Sequence, residues 1–226
     1  MPVDKTGQLQ EASALPKAAL VMRDEGLALV CGNVELLPDL SHMAARVRPD
    51  RLHRELLVRA AKLRNVDGEP FVVDATAGLG EDSLLLAAAG FRVRMYEHEP
   101  TIAALLRNAL ERARKDERLA DAVSRMDLVE ADSVEALRDL ELVPDVVYLD
   151  PMFPQRKKSA AVKKKLQLLQ TLERPCSNED ELLSAALAAG PRKVVVKRPV
   201  KGPYLAGVKP SHSLAGKAVR YDVLLP

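Results

Sequence analysis

From Glu69 onward, short apolar runs alternate with longer stretches that are apolar on one side only. PFVVD (70–74) is a short apolar run ending in an acid, followed by a Gly-containing turn and a helix over Glu81–Ala89. RVRMYE (92–97) reads as a second strand. Ile102, Leu105, Leu106, Ala109, Leu110 and Ala113 then recur at the three- and four-residue spacing of an amphipathic helix. MDLVEAD (126–132) predicts a third strand with a short helix after it. DVVYLD (145–150) and RKVVVKRP (192–199) predict a fourth and a fifth, with two helices within 160–189. AVRYDVLL (218–225) predicts a last strand, preceded by a Gly/Pro-rich connection. Upstream, residues 1–18 read as an irregular lead-in. ALVM and LALVC are β-like, and VELL follows the turn pair Gly32-Asn33. Leu52, Leu56, Leu57, Ala60 and Ala61 predict one helix over Arg51–Leu63.

Strands alternating with helices predict an α/β fold, a parallel sheet with helices on both faces. The division expected is a small N-terminal α+β lobe over 1–65 and a main domain over 66–226. In such sheets ligands bind beyond the carboxyl ends of the strands, near the switch point. The residues that follow each strand are therefore where chemistry is expected.

Composition narrows the class. Of the 226 residues, 47% are apolar and 29% charged, as in a folded soluble protein. The longest nearly apolar stretch, Leu84–Phe91, is far short of the ~20 residues that a bilayer span needs. The first residues, MPVDKTGQLQEAS, lack a signal pattern, and a soluble cytoplasmic protein without a membrane partner is expected. Cys31 and Cys176 stand far apart, with no CxxC and no His-Cys cluster, so neither a disulfide framework nor a metal site is expected. Charge is split along the chain. Residues 1–150 carry 19 Lys+Arg against 27 Asp+Glu, whereas residues 151–226 carry 15 against 5. Opposite blocks in one chain suggest an anionic partner for the basic part. No feature assigns an oligomeric state.

The first strand ends in Asp74-Ala-Thr-Ala-Gly78-Leu-Gly80-Glu81-Asp82. Glycines at 78 and 80 let backbone approach a ligand beside the free N–H groups of a helix start. The nicotinamide-dinucleotide pattern needs a third Gly where Ser83 stands, and a P-loop needs Gly-Lys-Ser/Thr, which is missing. Two acids at the helix start suit a positively charged ligand, such as the sulfonium and ammonium of S-adenosylmethionine (SAM), with Asp74 and the Gly78–Gly80 turn expected to hold its methionine end. Glu97 closes the second strand, where a carboxylate can accept both hydroxyls of a ribose. His98 follows and can flank the adenosine. Asp132-Ser133 closes the third strand, suited to the adenine amine and equally to capping a helix.

Asp150-Pro151-Met152-Phe153 closes the fourth strand. An exocyclic amine on a nucleobase is a poor nucleophile, because its lone pair is delocalised into the ring. Two N–H acceptors, the Asp150 carboxylate and the Pro151 carbonyl, help it rehybridise, and Phe153 can stack on the base. A base in this position is flipped out or unpaired. Arg156, Lys157, Lys158, Lys163, Lys164 and Lys165 follow without one acid among them, and Lys197 and Arg198 end the fifth strand on the same sheet edge. These cations are candidates for phosphate contact. With 3% aromatics and no Trp, a platform stacking many bases is not expected.

VVDATAGLGEDSLLLAAAGFRVRMYEHEP, DVVYLDPMFPQRKKSAAVKKK and RKVVVKRP together resemble the bacterial RsmJ (YhiQ) family. The resemblance runs from about residue 69 to the C-terminus, and more loosely through 40–65. It implies a class I, Rossmann-like methyltransferase fold with a seven-stranded sheet ending in an antiparallel strand. It also implies SAM as cofactor and transfer to guanine N2 in the 3′ part of small-subunit (16S) ribosomal RNA. SAM contacts are implied at Glu81-Asp82, Glu97-His98, Asp132-Ser133 and Asp150. Where many SAM-binding proteins begin an alternating glycine pattern, this chain has Thr76. Residue chemistry alone leaves adenine N6 as a rival acceptor. A non-catalytic RNA-binding assembly factor is the rival from another class.

Overall fold

The structure, a computed structural model, describes residues 18–66, 68–151 and 179–226. The lead-in through residue 17, Phe153, Arg156, Lys157, Lys158, Lys163, Lys164, Lys165 and the first of the two helices expected within 160–189 lie outside the described residues.

The described residues form two sheets. The smaller is an antiparallel meander of β1 (Ala19–Arg23), β2 (Gly26–Cys31) and β3 (Val34–Leu36). Gly32 takes φ 56° in the turn between β2 and β3, a conformation that glycine adopts without strain. The meander lies on the long helix over Pro100–Ala113. Leu29 and Leu36 bury against Leu105, and the Asn108 side chain accepts from the Leu27 N–H at 2.9 Å.

The larger sheet has seven strands in the order β6-β5-β4-β7-β8-β10-β9. They are β4 (Phe71–Asp74), β5 (Arg92–Glu97), β6 (Met126–Glu130), β7 (Val146–Leu149), β8 (Lys193–Pro199), β9 (His212–Ala215) and β10 (Val219–Leu224). β4 to β8 run parallel, and β10 enters antiparallel between β8 and β9. The seven-stranded, mostly parallel fold expected from the sequence is thus observed. One strand was not legible: β9 forms inside the Gly/Pro-rich connection, because Ser213 donates to Asp222 of β10 at 2.5 Å and His212–Ala215 pairs along that strand.

Helices cover both faces. They are α1 (Pro49–Leu52), α2 (Leu56–Ala61), α3 (Glu81–Ala88), α4 (Pro100–Ala113), α5 (Ala120–Val123), α6 (Ser133–Arg138) and α7 (Glu179–Ala188). Val72, Met95, Val146, Tyr148, Val195 and Tyr221 point to the face of α1 to α5. Val73, Tyr96, Val147, Leu149, Val194 and Val196 point to the face of α6 and α7. Strands buried on both faces read as continuous apolar runs, hence FVV and VVV in the sequence.

The single helix expected over Arg51–Leu63 is two. The chain is extended at Glu55, whose carboxylate takes a two-pronged bond from Arg46 at 2.9 and 2.8 Å. Leu52 and Leu57 still reach the core from either side of the break. Residues Leu40–Ala61 share the main core with α3 and the sheet. β4 lies between β5 and β7, so the chain leaves it toward both sides, and a crevice opens at its carboxyl end.

Candidate active site

The turn after β4 is built by hydrogen bonds. Ala75 N–H donates to the Tyr148 carbonyl at 3.1 Å and Ala77 N–H to the Tyr96 carbonyl at 3.2 Å, so the turn hangs between β7 and β5. Gly78 and Gly80 take φ 52° and 76°, and Gly80 is the N-cap of α3. A Cβ at Gly80 would sit 2.7 Å from Leu106 Cδ1, whereas at Gly78 the nearest heavy atom would be 3.9 Å away. Glycine at 80 lets the turn lie against α4, and glycine at 78 leaves the crevice side open.

Asp74, expected to hold the methionine end of SAM, is turned inward. Its side chain is 1% exposed and its acceptors are occupied. Ser83 Oγ donates at 2.5 Å, and Thr76 N–H donates at 3.0 Å. Asp74 shapes the turn. Burial pushes its pKa up to about 7, against the opposing pull of these donors. Ser83, where a dinucleotide-binding protein needs glycine, is the partner that this buried acid requires.

Glu97, 5% exposed, accepts from Gly78 N–H at 3.1 Å and from Glu99 N–H at 2.9 Å. It locks the glycine turn to the end of β5. Burial holds its pKa above the ordinary carboxylate range. His98 is half exposed, its Nδ1 3.6 Å from Glu97 Oε1. Asp132 caps α6, accepting from Val134 and Glu135 N–H at 2.8 and 3.2 Å, with Ser133 as the first helical residue. Glu81 is half exposed and faces His42 Nε2 at 3.3 Å, which brings the segment before α1 to the rim of the crevice.

At the centre stand three charges from three elements. Lys197 Nζ lies 2.6 Å from Asp82 Oδ2 and 2.8 Å from Asp150 Oδ2. Tyr148 Oη donates to the same Asp82 oxygen at 2.6 Å. Strand parity explains the convergence. Tyr148, Asp150, Lys197 and Tyr221 fall on the sheet face that α3 covers, and Lys197 pairs in register with Tyr221. Asp150 N–H donates to Thr76 Oγ1 at 2.7 Å, tying the ends of β4 and β7 together. Burial raises the Asp150 pKa, Lys197 pulls it down and Asp82 pushes it up. Burial alone would lower the Lys197 pKa, but the two carboxylates outweigh it and hold the ammonium above its ordinary range.

Lys197 and Arg198, expected as phosphate contacts, are both paired with acids in this structure. Lys197 is engaged between two acids inside the crevice. Arg198 points to the opposite face, 1% exposed, where it donates to the Pro203 carbonyl at 2.9 Å and pairs with Glu179 of α7 at 3.3 Å. Sequence reading also missed Thr76 and Tyr148. Thr76 carried a signal, since it stands where a glycine is usual. Tyr148 carried a weaker one, two residues before Asp150 and so on its face.

These residues fit a nucleoside with a cationic tail. Gly78 leaves room, Glu97 offers a buried carboxylate at the second strand end, and the acids around Lys197 outnumber it. Residues 7–226 match the family described as "Putative SAM-dependent methyltransferase". Ribosomal RNA small subunit methyltransferase J of Thioalkalivibrio sulfidiphilus is 46% identical over 186 residues, covering 81% of this chain and 71% of that protein. The chain belongs to the ribosomal RNA small subunit methyltransferase J family. The protein of that name from Chromobacterium violaceum is 49% identical over 170 residues, 74% of this chain and 66% of that one. The J-family protein of Pseudomonas fluorescens strain Pf0-1 is 48% identical over 155 residues, and this chain spans 60% of its length. A SAM-dependent methyltransferase from Neisseria gonorrhoeae has a similar crystal structure, with TM-score 0.73 and 30% identity over 96% of this chain and 86% of that one. The rRNA methyltransferase aviRa of Streptomyces viridochromogenes shares the fold at TM-score 0.52 and 19% identity, over 79% and 85% of the two chains. J-family membership makes this chain a class I SAM-dependent methyltransferase, with SAM as its cofactor. No helix among the described residues is long and apolar enough to cross a membrane.

Proposed function

We propose that the chain methylates the exocyclic N2 of a guanine in the 3′ region of 16S ribosomal RNA, in the cytoplasm. One observation carries the reading. Asp150 stands at the carboxyl end of β7 beside the glycine turn, with Oδ2 held by Lys197 and Oδ1 without a donor among the described residues. SAM, held at the strand ends, would supply an electrophilic methyl group and be left as S-adenosylhomocysteine, the amine proton that is lost passing to water. Asp150 Oδ1 and the Pro151 carbonyl accept the two N–H bonds of the target amine and aim its lone pair. Holding both reactants in line supplies most of the acceleration, ~7 kcal/mol or more for well-oriented partners. Pro151 is buried, which fixes its carbonyl.

Glu97 receives the ribose hydroxyls, with His98 alongside. Asp132 and Ser133 meet the adenine edge, while Asp132 keeps its cap. Gly78 and Gly80 pass the methionine end toward Glu81 and Asp82. Phe153 stacks on the guanine. Arg156, Lys157, Lys158, Lys163, Lys164 and Lys165 hold RNA phosphates. The names of the J-family relatives support rRNA as the substrate, and the guanine N2 choice rests on the family resemblance.

The test is methyl transfer from labelled SAM to small ribosomal subunits lacking their native methylations, followed by mass spectrometry of the nucleosides. N2-methylguanosine is the expected product. N6-methyladenosine would keep the Asp150 chemistry and overturn the base. No transfer, with SAM binding absent in calorimetry, would favour a non-catalytic assembly factor.

A further inference from the structure

The Lys197 ammonium is the one cation within ion-pair distance of Asp150 among the described residues, 2.8 Å from its Oδ2. Its other partner, Asp82, is fixed independently by Tyr148 Oη. Lys197 is therefore held from two sides and has no freedom to follow a ligand. Its backbone is held as well, since β8 pairs with β7 on one side and β10 on the other. A side chain this constrained, a quarter exposed and saturated by acids, is poorly placed to attract phosphate. Its geometry bears on Asp150 instead.

We infer that Lys197 is the positioning residue for methyl transfer: by pinning Oδ2 of Asp150 it leaves Oδ1 as the acceptor for the target amine and keeps that carboxylate ionised. The inference rests on the proposed role of Asp150. A neutral Asp150 turns one of its oxygens into a donor, which repels an amine N–H. Ionisation is under pressure here. Asp82 on α3 acts on Asp150 as a like charge, and the buried Asp74 on β4 stands nearby. Tyr148 on β7 and Tyr221 on β10 also lie close to it. Arg198, on the far face of β8, and Arg46, before α1, lie beyond the first contacts. Burial already raises the Asp150 pKa, and Lys197 is the largest influence opposing it. Without the ammonium, the acid limb of the reaction moves toward neutral pH.

The deciding experiment follows the Asp150 carboxylate by carbon-13 NMR through a pH titration, beside the pH dependence of methyl transfer. Both are run on the full chain and on Lys197→Met and Lys197→Arg. In Lys197→Met the Asp150 midpoint is expected to rise by about one pH unit or more. The acid limb should move with it, a loss of about tenfold below the new midpoint. Lys197→Arg should return both toward the wild type. An Asp150 midpoint and an acid limb unmoved in folded Lys197→Met would overturn the inference. If that variant does not fold, Lys197→Gln, which keeps a donor without the charge, is judged by the same criterion. Failure of the wild type to methylate rRNA would sink the substrate reading alone, because the NMR midpoint still decides what Lys197 does to Asp150.

Discussion

Asp74 shows at a single residue how a buried charge shapes this site. Its pKa is raised from 3.8 to about 7, chiefly by burial. Between those values the folded protein keeps a proton that the unfolded chain has released. The stability linked to Asp74 is therefore fully present below about pH 4 and is lost as pH rises toward 7. A shift of about three units corresponds to a loss on the order of 4 kcal/mol. Asp74→Asn, which carries no titrating proton, should flatten urea-unfolding free energies measured between pH 4 and 7. A slope equal to the wild type's would remove Asp74 as its source. Asp150 behaves differently because it faces the crevice, with its side chain 36% exposed. Asp150→Ala should cut methyl transfer by about 100-fold or more while SAM affinity in calorimetry stays near the wild type. Loss of both together would assign Asp150 to cofactor binding instead. The acids at 74, 97, 132 and 150 were legible because each ends a strand whose apolar run is visible. What each touches was not. Asp74 turns inward to Ser83, and Lys197 turns from phosphate to carboxylate, because their partners lie on elements distant in sequence.

Among the elements, the β4–α3 turn is where backbone conformation and cofactor binding meet. Gly80 combines φ 76° with a Cβ position 2.7 Å from Leu106 Cδ1. Gly80→Ala meets a left-handed backbone penalty of ~1–2 kcal/mol and must also displace Leu106. Gly90, with φ 93° and nothing within 4 Å of its Cβ position, provides the contrast. Gly90→Ala should lower stability and leave SAM affinity intact, whereas Gly80→Ala should weaken SAM binding as well. Equal SAM affinity in the two variants would show that the turn does not transmit to the site. The same scale explains what the pattern hid. The parallel strands were legible from apolar runs, and α4 from its spacing. β9 was hidden because it is short, polar and exposed along an edge. The break between α1 and α2 was hidden because apolar spacing continues across it, while the Arg46–Glu55 pair that holds it is visible only in three dimensions.

For the whole molecule, the separation of charge along the chain makes RNA affinity depend on salt. Net charge is only +2, yet residues 151–226 carry three times as many cations as acids. With Lys197 held by carboxylates and Arg198 buried, the phosphate contacts proposed are those of the sequence run from Arg156 to Lys165, which has six cations and no Asp or Glu. Each phosphate neutralised on a single strand adds ~0.7 to the slope of log affinity against log salt. Replacing Lys157, Lys158, Lys163 and Lys164 together by alanine should then reduce that slope by about 3, measured by fluorescence anisotropy on an rRNA fragment. SAM affinity should not change, because the cofactor contacts proposed lie beyond the ends of β4, β5 and β6 and at the start of α3. A matching substitution at Arg198 offers the counter-test. Arg198→Met breaks the bonds to Glu179 and Pro203 and should lower stability with the salt slope unchanged. A reduced slope in Arg198→Met would return that residue to the RNA interface. An unchanged slope in the fourfold lysine variant would move the interface away from the 156–165 run altogether.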